Sequence, residues 1–320
     1  MAASAEDFKN NSLINYDKKL TPPAFGFQNL GATCYFNALL QALLSCTSLT
    51  QVMLNNKDKE EYQNNPVSKV YIEMLVAMLN KKTIDQMPGM APKLWKTVFT
   101  YAGKRKDKVR FTSGQQDANE GFHLFMDAIE DLDEVQQLFE HRYESRIRCQ
   151  ECKKWVSIKR SENNVFSVEP NLRCETLGEL KDFGMIQSRN LSEFLACQLS
   201  CVDKDHECPE CHVRKERTRL DRITMVPEIL VVLSKKYNSR GQKLNVVTDF
   251  PSVLTFEGIN GKLKYGAVAQ VEHSGSMGGG HYWAVCRRKL GWICLNDMGV
   301  SKDTFKPTVN TYIVFYHKIP

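Results

Sequence analysis

The side chains best suited to chemistry in this 320-residue chain are a cysteine, a histidine and an adjacent asparagine–aspartate pair. Cys34 closes the run Gly26-Phe27-Gln28-Asn29-Leu30-Gly31-Ala32-Thr33-Cys34, where a turn of small residues gives way to a helical pattern carried by Leu39, Leu40, Leu43 and Leu44. A helix start presents unpaired N–H groups and the positive end of the helix dipole. A thiol placed there is expected to lose its proton more easily and to act as a nucleophile near neutral pH. Gly31 and Ala32 leave room for a substrate backbone. Most free cysteines are simply buried thiols, so a base is needed to separate the two readings. Among seven histidines, His281 follows Gly278-Gly279-Gly280 and opens the extended run His281-Tyr282-Trp283-Ala284-Val285. A strand start would hold its imidazole rigidly. Asn296-Asp297 follows another short extended run, Trp292 to Leu295. Either residue can accept the ring N–H and fix the tautomer, although the same pair also marks ordinary turns.

A second constellation has metal-ligand spacing. Cys149-x-x-Cys152 and Cys208-x-x-Cys211 form two knuckles with 55 residues between them. Two such pairs supply the four thiolates of a tetrahedral structural zinc site, and four thiolates leave no open position for catalysis by the metal. The separation exceeds that of a compact ribbon and points to a site that closes a larger insertion. Cys197, Cys201, His206 and His212 are competing ligands, and a redox dithiol is the alternative use of a single CxxC.

The elements that must position these groups change character along the chain. Met1 to Leu20 reads as a loose polar tail, ended by Pro22-Pro23. Val67, Val70, Tyr71, Met74, Leu75 and Met78 recur at three and four and predict an amphipathic helix. Ser113 followed by Gln116 has capping-box spacing before a helix that carries Phe122, Phe125, Met126 and Ile129. From about Tyr143 to Arg222 the sequence is polar, irregular and cysteine-rich. Extended runs follow at Ile223–Ser234, Leu244–Val247, Leu263–Glu272, His281–Arg287, Trp292–Leu295 and Tyr312–His317, with strict alternation from Leu263 to Val271. The order is a helical part, a metal-bearing insertion, then an antiparallel sheet.

Composition narrows the class. Hydrophobic content of 42% suffices for a real core, and a net charge of +6 with no dense basic and aromatic cluster argues against a nucleic-acid module. No apolar signal segment and no run of membrane-spanning length is visible, so an intracellular, reducing setting, cytoplasmic and/or nuclear, is the expectation. Eleven cysteines are then thiols or ligands rather than disulfides.

Asn29-Leu30-Gly31-Ala32-Thr33-Cys34-Tyr35 with Asn37 and Leu39-Leu40-Gln41 resembles the cysteine box of the ubiquitin-specific proteases. Val271-Glu272-His273-Ser274-Gly275 through Gly280-His281-Tyr282 resembles the family's histidine box, and Trp292 through Asn296-Asp297 and Val300-Ser301 its third box. Ser113-Gly114-Gln115-Gln116-Asp117-Ala118 resembles its glutamine–aspartate box. The resemblance runs from about Phe25 to His317. Lys235-Lys236-Tyr237 stands where the family usually has Lys-Arg-Phe, and Cys174 to Cys201 departs from the compact layout.

The resemblance implies an α+β, papain-like fold of palm, thumb and fingers. It implies a flexible tail at 1–22 and one catalytic domain at 23–319, with thumb about 25–142, zinc-bearing fingers about 143–222 and palm about 223–319. By the same resemblance Cys34 is the nucleophile, His281 the base and Asn296 the orienting residue. Asp297 supports them and Asn29 donates to the oxyanion. Asp117, Gln116, Gly280 and Tyr282 contact the incoming tail; Asp117 also reads as an ordinary acid at a helix N-terminus, favoured by the dipole. Cys149, Cys152, Cys208 and Cys211 hold structural Zn²⁺, with no organic cofactor. His273 reads as structural or peripheral. The implied activity is hydrolysis of the bond after the C-terminal glycine of ubiquitin, by a monomer without nucleic-acid or membrane partners. A protease for another ubiquitin-like modifier and a non-catalytic ubiquitin-binding scaffold are the alternatives.

Overall fold

All eleven residues of the helix Cys34–Leu44 (α1) are buried, Asn37 and Gln41 included. A helix apolar on every side has to be enclosed, and α1 is enclosed by helices on one side and a sheet on the other. The computed structural model describes residues 19–80, 84–103, 114, 116–168, 198–202, 207–214, 217–237, 240–258, 261–276 and 278–319. Residues 1–18 of the expected tail, Ser113, the stretch from Cys174 to Cys197 and His206 lie outside them, whereas Thr21 and Pro22 at the end of that tail are buried.

The helices around α1 are Thr47–Asn55 (α2), Glu60–Asn64 (α3), Pro66–Leu79 (α4), Met87–Gly103 (α5), Ala118–Ala128 (α6) and Asp133–Phe139 (α7). The periodic run from Val67 to Met78 is α4. It starts where Asn65 accepts from the backbone N–H of Val67 and Ser68, with Pro66 in the first turn. The second expected helix is α6, and its cap is Asp117, which accepts from the N–H of Asn119 and Glu120. The expected capping-box role of Ser113 falls outside the described residues.

Strands His141–Cys149 (β1), Trp155–Asn163 (β2), Gln198–Val202 (β4) and Arg217–Met225 (β5) form a four-stranded sheet in the order β2-β1-β5-β4. A larger, eight-stranded sheet contains Phe166–Val168 (β3), Ile229–Ser234 (β6), Val253–Gly258 (β7), Gly261–Ser276 (β8), Gly279–Arg288 (β9), Gly291–Asn296 (β10), Gly299–Lys302 (β11) and Thr311–Ile319 (β12). Its order is β11-β10-β9-β8-β12-β6-β3, with β7 on β8. Only the β3–β6 pairing is parallel among those described.

Two sequence expectations are corrected. The extended run Ile223–Ser234 is two strands in different sheets, because Pro227 supplies no N–H and the chain leaves one sheet there to enter the other. Leu244–Val247 is not a strand. Its backbone groups bond to Lys236 instead: the Val246 carbonyl accepts from the Lys236 ammonium at 2.6 Å, and the Leu244 N–H donates to the Lys236 carbonyl.

The large sheet is covered on both faces, and alternation along its strands assigns each side. On β12, Ile313 and Phe315 join the helices and α1, whereas Val314 and Tyr316 join a second cluster with Phe250, Leu254 and Tyr265. Strand β6 divides in the same way, with Val231 on one face and Val232 on the other.

Burial also fixes an acid limit. His141 and His273 are both buried, and desolvation holds each at about 4. Between pH 6.5 and 4 the unfolded chain binds protons that the folded protein does not, so stability falls as pH drops through that window. The shift at His141 corresponds to on the order of 3 kcal/mol, and that at His273, whose ring lines the open cavity, to less once solvent screening is counted. Glu272, raised by burial, opposes them. The urea midpoint is expected to decline steadily from about pH 6.5 to 4; a flat profile over that range would contradict the burial of both rings.

Candidate active site

The loop before α1 is folded around the Asn29 side chain. Its Oδ1 accepts from the backbone N–H of Gly31 at 2.8 Å and of Thr33 at 3.2 Å, and Thr33 Oγ1 accepts from Leu30 N–H at 3.0 Å. Gly31 has φ of 102°, a left-handed conformation that favours glycine. With Oδ1 occupied, the Asn29 amide nitrogen faces outward. One of its hydrogens goes to Asp297 Oδ2 at 2.9 Å. The other Asp297 oxygen accepts from Asn37 Nδ2, on α1, at 2.8 Å. The Asp297 carbonyl accepts from Phe27 N–H at 2.8 Å. Gly26 packs so closely that a Cβ there would lie 2.5 Å from the Met298 Cα. Asp297 itself sits at φ 49° in the tight β10–β11 turn.

The same turn presents Asn296, whose Oδ1 lies 2.6 Å from His281 Nε2. An amide oxygen only accepts, so Nε2 carries the proton and Nδ1 is left with its lone pair. Of the two candidates for the orienting residue, Asn296 makes this contact, while the Asp297 carboxylate goes to Asn29 and Asn37. His281 pairs across the strands with Ser274, and its ring stacks near Trp283 at a centroid distance of 6.2 Å.

Cys34 begins α1 as expected, and the backbone N–H of Tyr282, next to His281, points at its sulfur. The expected lowering of its pKa is corrected. Burial pushes the thiol above its ordinary value. The N–H of Tyr282 pulls it down, the Asp297 charge raises it further, and the N–H groups of Tyr35 and Cys34 itself offset part of this. The helix start is present, but the thiol is 4% exposed, and loss of water outweighs the dipole. Burial thus works against a thiolate at Cys34, and a base within reach would offset it.

Beside Cys34 a cavity of about 460 Å³ is lined by Ala32, Gln116, Asp117, Glu120, Gly280, Tyr282 and Tyr312, among others. The hairpin between β8 and β9 roofs it. Gly275, at φ 132°, and Gly280 cross so closely that a Cβ on Gly275 would lie 2.5 Å from the Gly280 Cα. Asp117 reaches the cavity, but its oxygens are heavily committed. Oδ1 caps α6 and Oδ2 accepts from the hydroxyls of Tyr312 at 2.7 Å and Tyr282 at 3.1 Å. Asp117 thus stands at the N-terminus of α6 and lines the cavity as well. Glu120 lines the same space, its carboxyl raised by partial burial and by Asp117.

His273 lines this cavity and is more than peripheral. Its Nδ1 lies 3.0 Å from the Tyr237 hydroxyl, its ring stacks on Tyr282 at 4.3 Å, and Gly280 abuts its Nε2. The Tyr237 hydroxyl is the group that a phenylalanine at that position would lack. The roles of Asn37, Tyr237 and Tyr312 were not visible in the sequence. Asn37 lies within the quoted box, which is the one signal that could have flagged it.

Far from the cleft, Cys149, Cys152, Cys208 and Cys211 bring their sulfurs within 4.8 Å of one another. The two knuckles repeat one backbone pattern. The N–H of the fourth residue after the first cysteine donates to that cysteine's carbonyl, and that residue, Lys153 or His212, is left-handed. Cys149 and Cys208 are buried, and no disulfide is present among the eight cysteines whose side chains are described. A closed set of four thiols suits one metal ion. His212 is not part of this cluster, and its Nδ1 lies 3.0 Å from Glu207 Oε1. Cys201 lies in β4.

A protein with this cysteine, histidine and asparagine, an adjoining glycine-roofed cleft and a four-cysteine finger has the layout of a papain-like hydrolase with palm, thumb and fingers. Residues 25–316 match the family model described as ubiquitin carboxyl-terminal hydrolase, and the chain belongs to that family. It is 24% identical to ubiquitin carboxyl-terminal hydrolase 4 of Saccharomyces cerevisiae, over 98% of this chain and 41% of that protein. It is 22% identical to ubiquitin carboxyl-terminal hydrolase 17-like protein B of Mus musculus, over 92% of this chain and 64% of that one. The chain thus spans about two fifths of the length of the first of these relatives. The fold matches that of the SAGA DUB module Ubp8/Sgf11/Sus1/Sgf73 bound to monoubiquitin, with a TM-score of 0.71, 20% identity and coverage of 98% of this chain and 73% of that chain. The same module bound to ubiquitin aldehyde matches with a TM-score of 0.70 and 19% identity, over 98% of this chain and 72% of that one.

The raised thiol gives a direct check. Alkylation of Cys34 by iodoacetamide, followed on its own peptide by mass spectrometry, is expected to keep accelerating to about pH 9 or beyond. A rate that levels off below about pH 7 would mean a preformed thiolate instead.

Proposed function

We propose that this chain is a thiol hydrolase that cleaves the isopeptide or peptide bond after the C-terminal glycine of ubiquitin. The observation that carries the reading is the pairing of His281 Nε2 with Asn296 Oδ1, which leaves Nδ1 free as a base on the strand that meets Cys34. His281 takes the Cys34 proton as substrate enters, and the sulfur attacks the glycine carbonyl. The second amide hydrogen of Asn29 and backbone N–H groups at the start of α1 stabilise the oxyanion. His281 then protonates the departing amine. Water, deprotonated by His281, hydrolyses the thioester and restores Cys34.

A substrate whose last residues lack side chains accords with a cavity lined beside Cys34 by Gly278, Gly279 and Gly280. Gln116, Asp117, Gly280 and Tyr282 contact that tail in this reading. The metal held by the four cysteines is zinc, which closes the fingers at the tip of β1. The proposed organisation is a tail at 1–22 and one catalytic domain at 23–319 that acts as a monomer, with thumb about 25–142, fingers about 143–222 and palm about 223–319. An intracellular setting accords with the free thiols.

The test is covalent capture by ubiquitin bearing a C-terminal electrophile. One adduct per chain is expected, lost in Cys34→Ala. A folded, metal-loaded protein that forms no adduct would overturn the ubiquitin reading in favour of another modifier or a binding scaffold. Asn296→Ala is expected to lower kcat on a ubiquitin–coumarin substrate by about a hundred-fold or more, with little change in melting temperature. Metal analysis is expected to find one zinc per chain, and chelation to lower the melting temperature.

A further inference from the structure

A tyrosine hydroxyl and a neutral imidazole carry two exchangeable protons between them, one on oxygen and one on a ring nitrogen. Tyr237 and His273 form such a pair. Tyr237 Oη lies 3.0 Å from His273 Nδ1, and both residues line the cavity beside Cys34. The ring is neutral, because burial and then the Lys243 charge hold it at about 4. The hydrogen bond between the two residues uses one proton. The second is left over in either tautomer, on His273 Nε2 if the hydroxyl donates and on Tyr237 Oη if the ring donates. Among the described residues, neither atom has another hydrogen-bond partner. The other cavity tyrosines Tyr282 and Tyr312 differ, since their hydroxyls donate to Asp117. His273 is 4% exposed, whereas Tyr237 is only half-buried. Nε2 also stands hard against Gly280, where a Cβ would lie 2.4 Å from it. The hydroxyl therefore has the freer approach from the cavity. A donor left unmatched at such a site is costly, and a group that enters and accepts its proton removes that cost.

We propose that His273 Nδ1 donates to Tyr237 Oη, and that the Tyr237 hydroxyl donates in turn to a main-chain carbonyl of the ubiquitin tail, a bond that a phenylalanine at this position cannot make. The inference rests on the hydrolase reading above and adds one specificity-determining contact to it. The acceptor is neutral, because Asp117 and Glu120 line the same cavity and disfavour an anion there. It is main-chain, because Gly278, Gly279 and Gly280 border the space and leave room for an extended backbone. Tyr237 bonds to none of Cys34, His281 and Asn296. The contact is then equally strong in the ground state and the transition state, so it lowers KM and leaves kcat alone.

The experiment has a spectroscopic arm and a kinetic arm. Long-range proton–nitrogen spectra of the wild-type chain, with the signals assigned through His273→Gln, are expected to place the His273 proton on Nδ1. On ubiquitin–aminomethylcoumarin, Tyr237→Phe is expected to raise KM by about five-fold, the scale of one neutral hydrogen bond, with kcat within about two-fold of wild type. The same substrate is then made with one tail carbonyl at a time replaced by a thiocarbonyl, a poor acceptor. At one position the wild-type chain is expected to lose about the same factor, and Tyr237→Phe to lose nothing further there. A merely structural hydroxyl would not single out one substrate carbonyl. A proton on Nε2, an unchanged KM in Tyr237→Phe, a fall in kcat in place of the rise in KM, or thiocarbonyl losses that multiply with Tyr237→Phe at every position would each overturn the proposal. A folded wild-type chain that turns over none of these substrates would instead remove the hydrolase reading, and this contact with it.

Discussion

The site depends on one carboxylate that joins two lobes. Asp297 stands at a sheet turn and accepts from Asn29, 268 residues earlier, and from Asn37 on the buried helix α1. Without it the loop that carries the nucleophile has few polar ties to the strand that orients the base. Charge-assisted bonds of this kind are stronger than neutral ones and fix geometry as well as distance. Burial is the main cause that raises the Cys34 thiol, and the Asp297 charge adds to it, because it disfavours a second anion close by. One residue thus ties the Asn29 loop and α1 to the turn that carries Asn296.

The cleft is organised by a second acidic residue under a different constraint. Asp117 holds a helix end and two tyrosine hydroxyls, and so fixes the wall that Tyr282 and Tyr312 present to the cavity. Tyr282 in turn stacks on His273, which Tyr237 and Gly280 hold in place. The buried ring is neutral across the working range because desolvation is not matched by a nearby acid in direct contact. The glycine crossing above it is narrow for a simple reason: any Cβ at Gly275 or Gly280 would overlap its neighbours.

Much of this was legible in the sequence wherever chemistry demands a short local string. Cys34 at a helix start, His281 after three glycines, Asn296 after a strand and the two CxxC knuckles each carry their own signature, and the helical-then-strand order followed from periodicity. What the sequence did not reveal depends on folding distant segments together. The two partners of Asp297 and the two tyrosines on Asp117 are separated by most of the chain. The direction of the Cys34 shift was misjudged because a helix start is a local feature, whereas burial is set by the whole core. The run from Ile223 to Ser234 looked like one strand because both halves suit strands; only the turn at Pro227 and Glu228 divides it between two sheets. Leu244–Val247 has the composition of a strand but no edge to join.

The central claim is that Asp297 acts on catalysis through Asn29 rather than through the base. A double-mutant cycle measures this directly, with Asp297→Ala, Asn29→Ala and the double variant assayed for kcat on ubiquitin–coumarin. If Asp297 works by holding that amide, the double variant is expected to be little slower than the slower single variant, with a coupling of about 1 kcal/mol or more. If the two losses multiply instead, the residues act independently, and the joint between the lobes is not what positions the oxyanion donor.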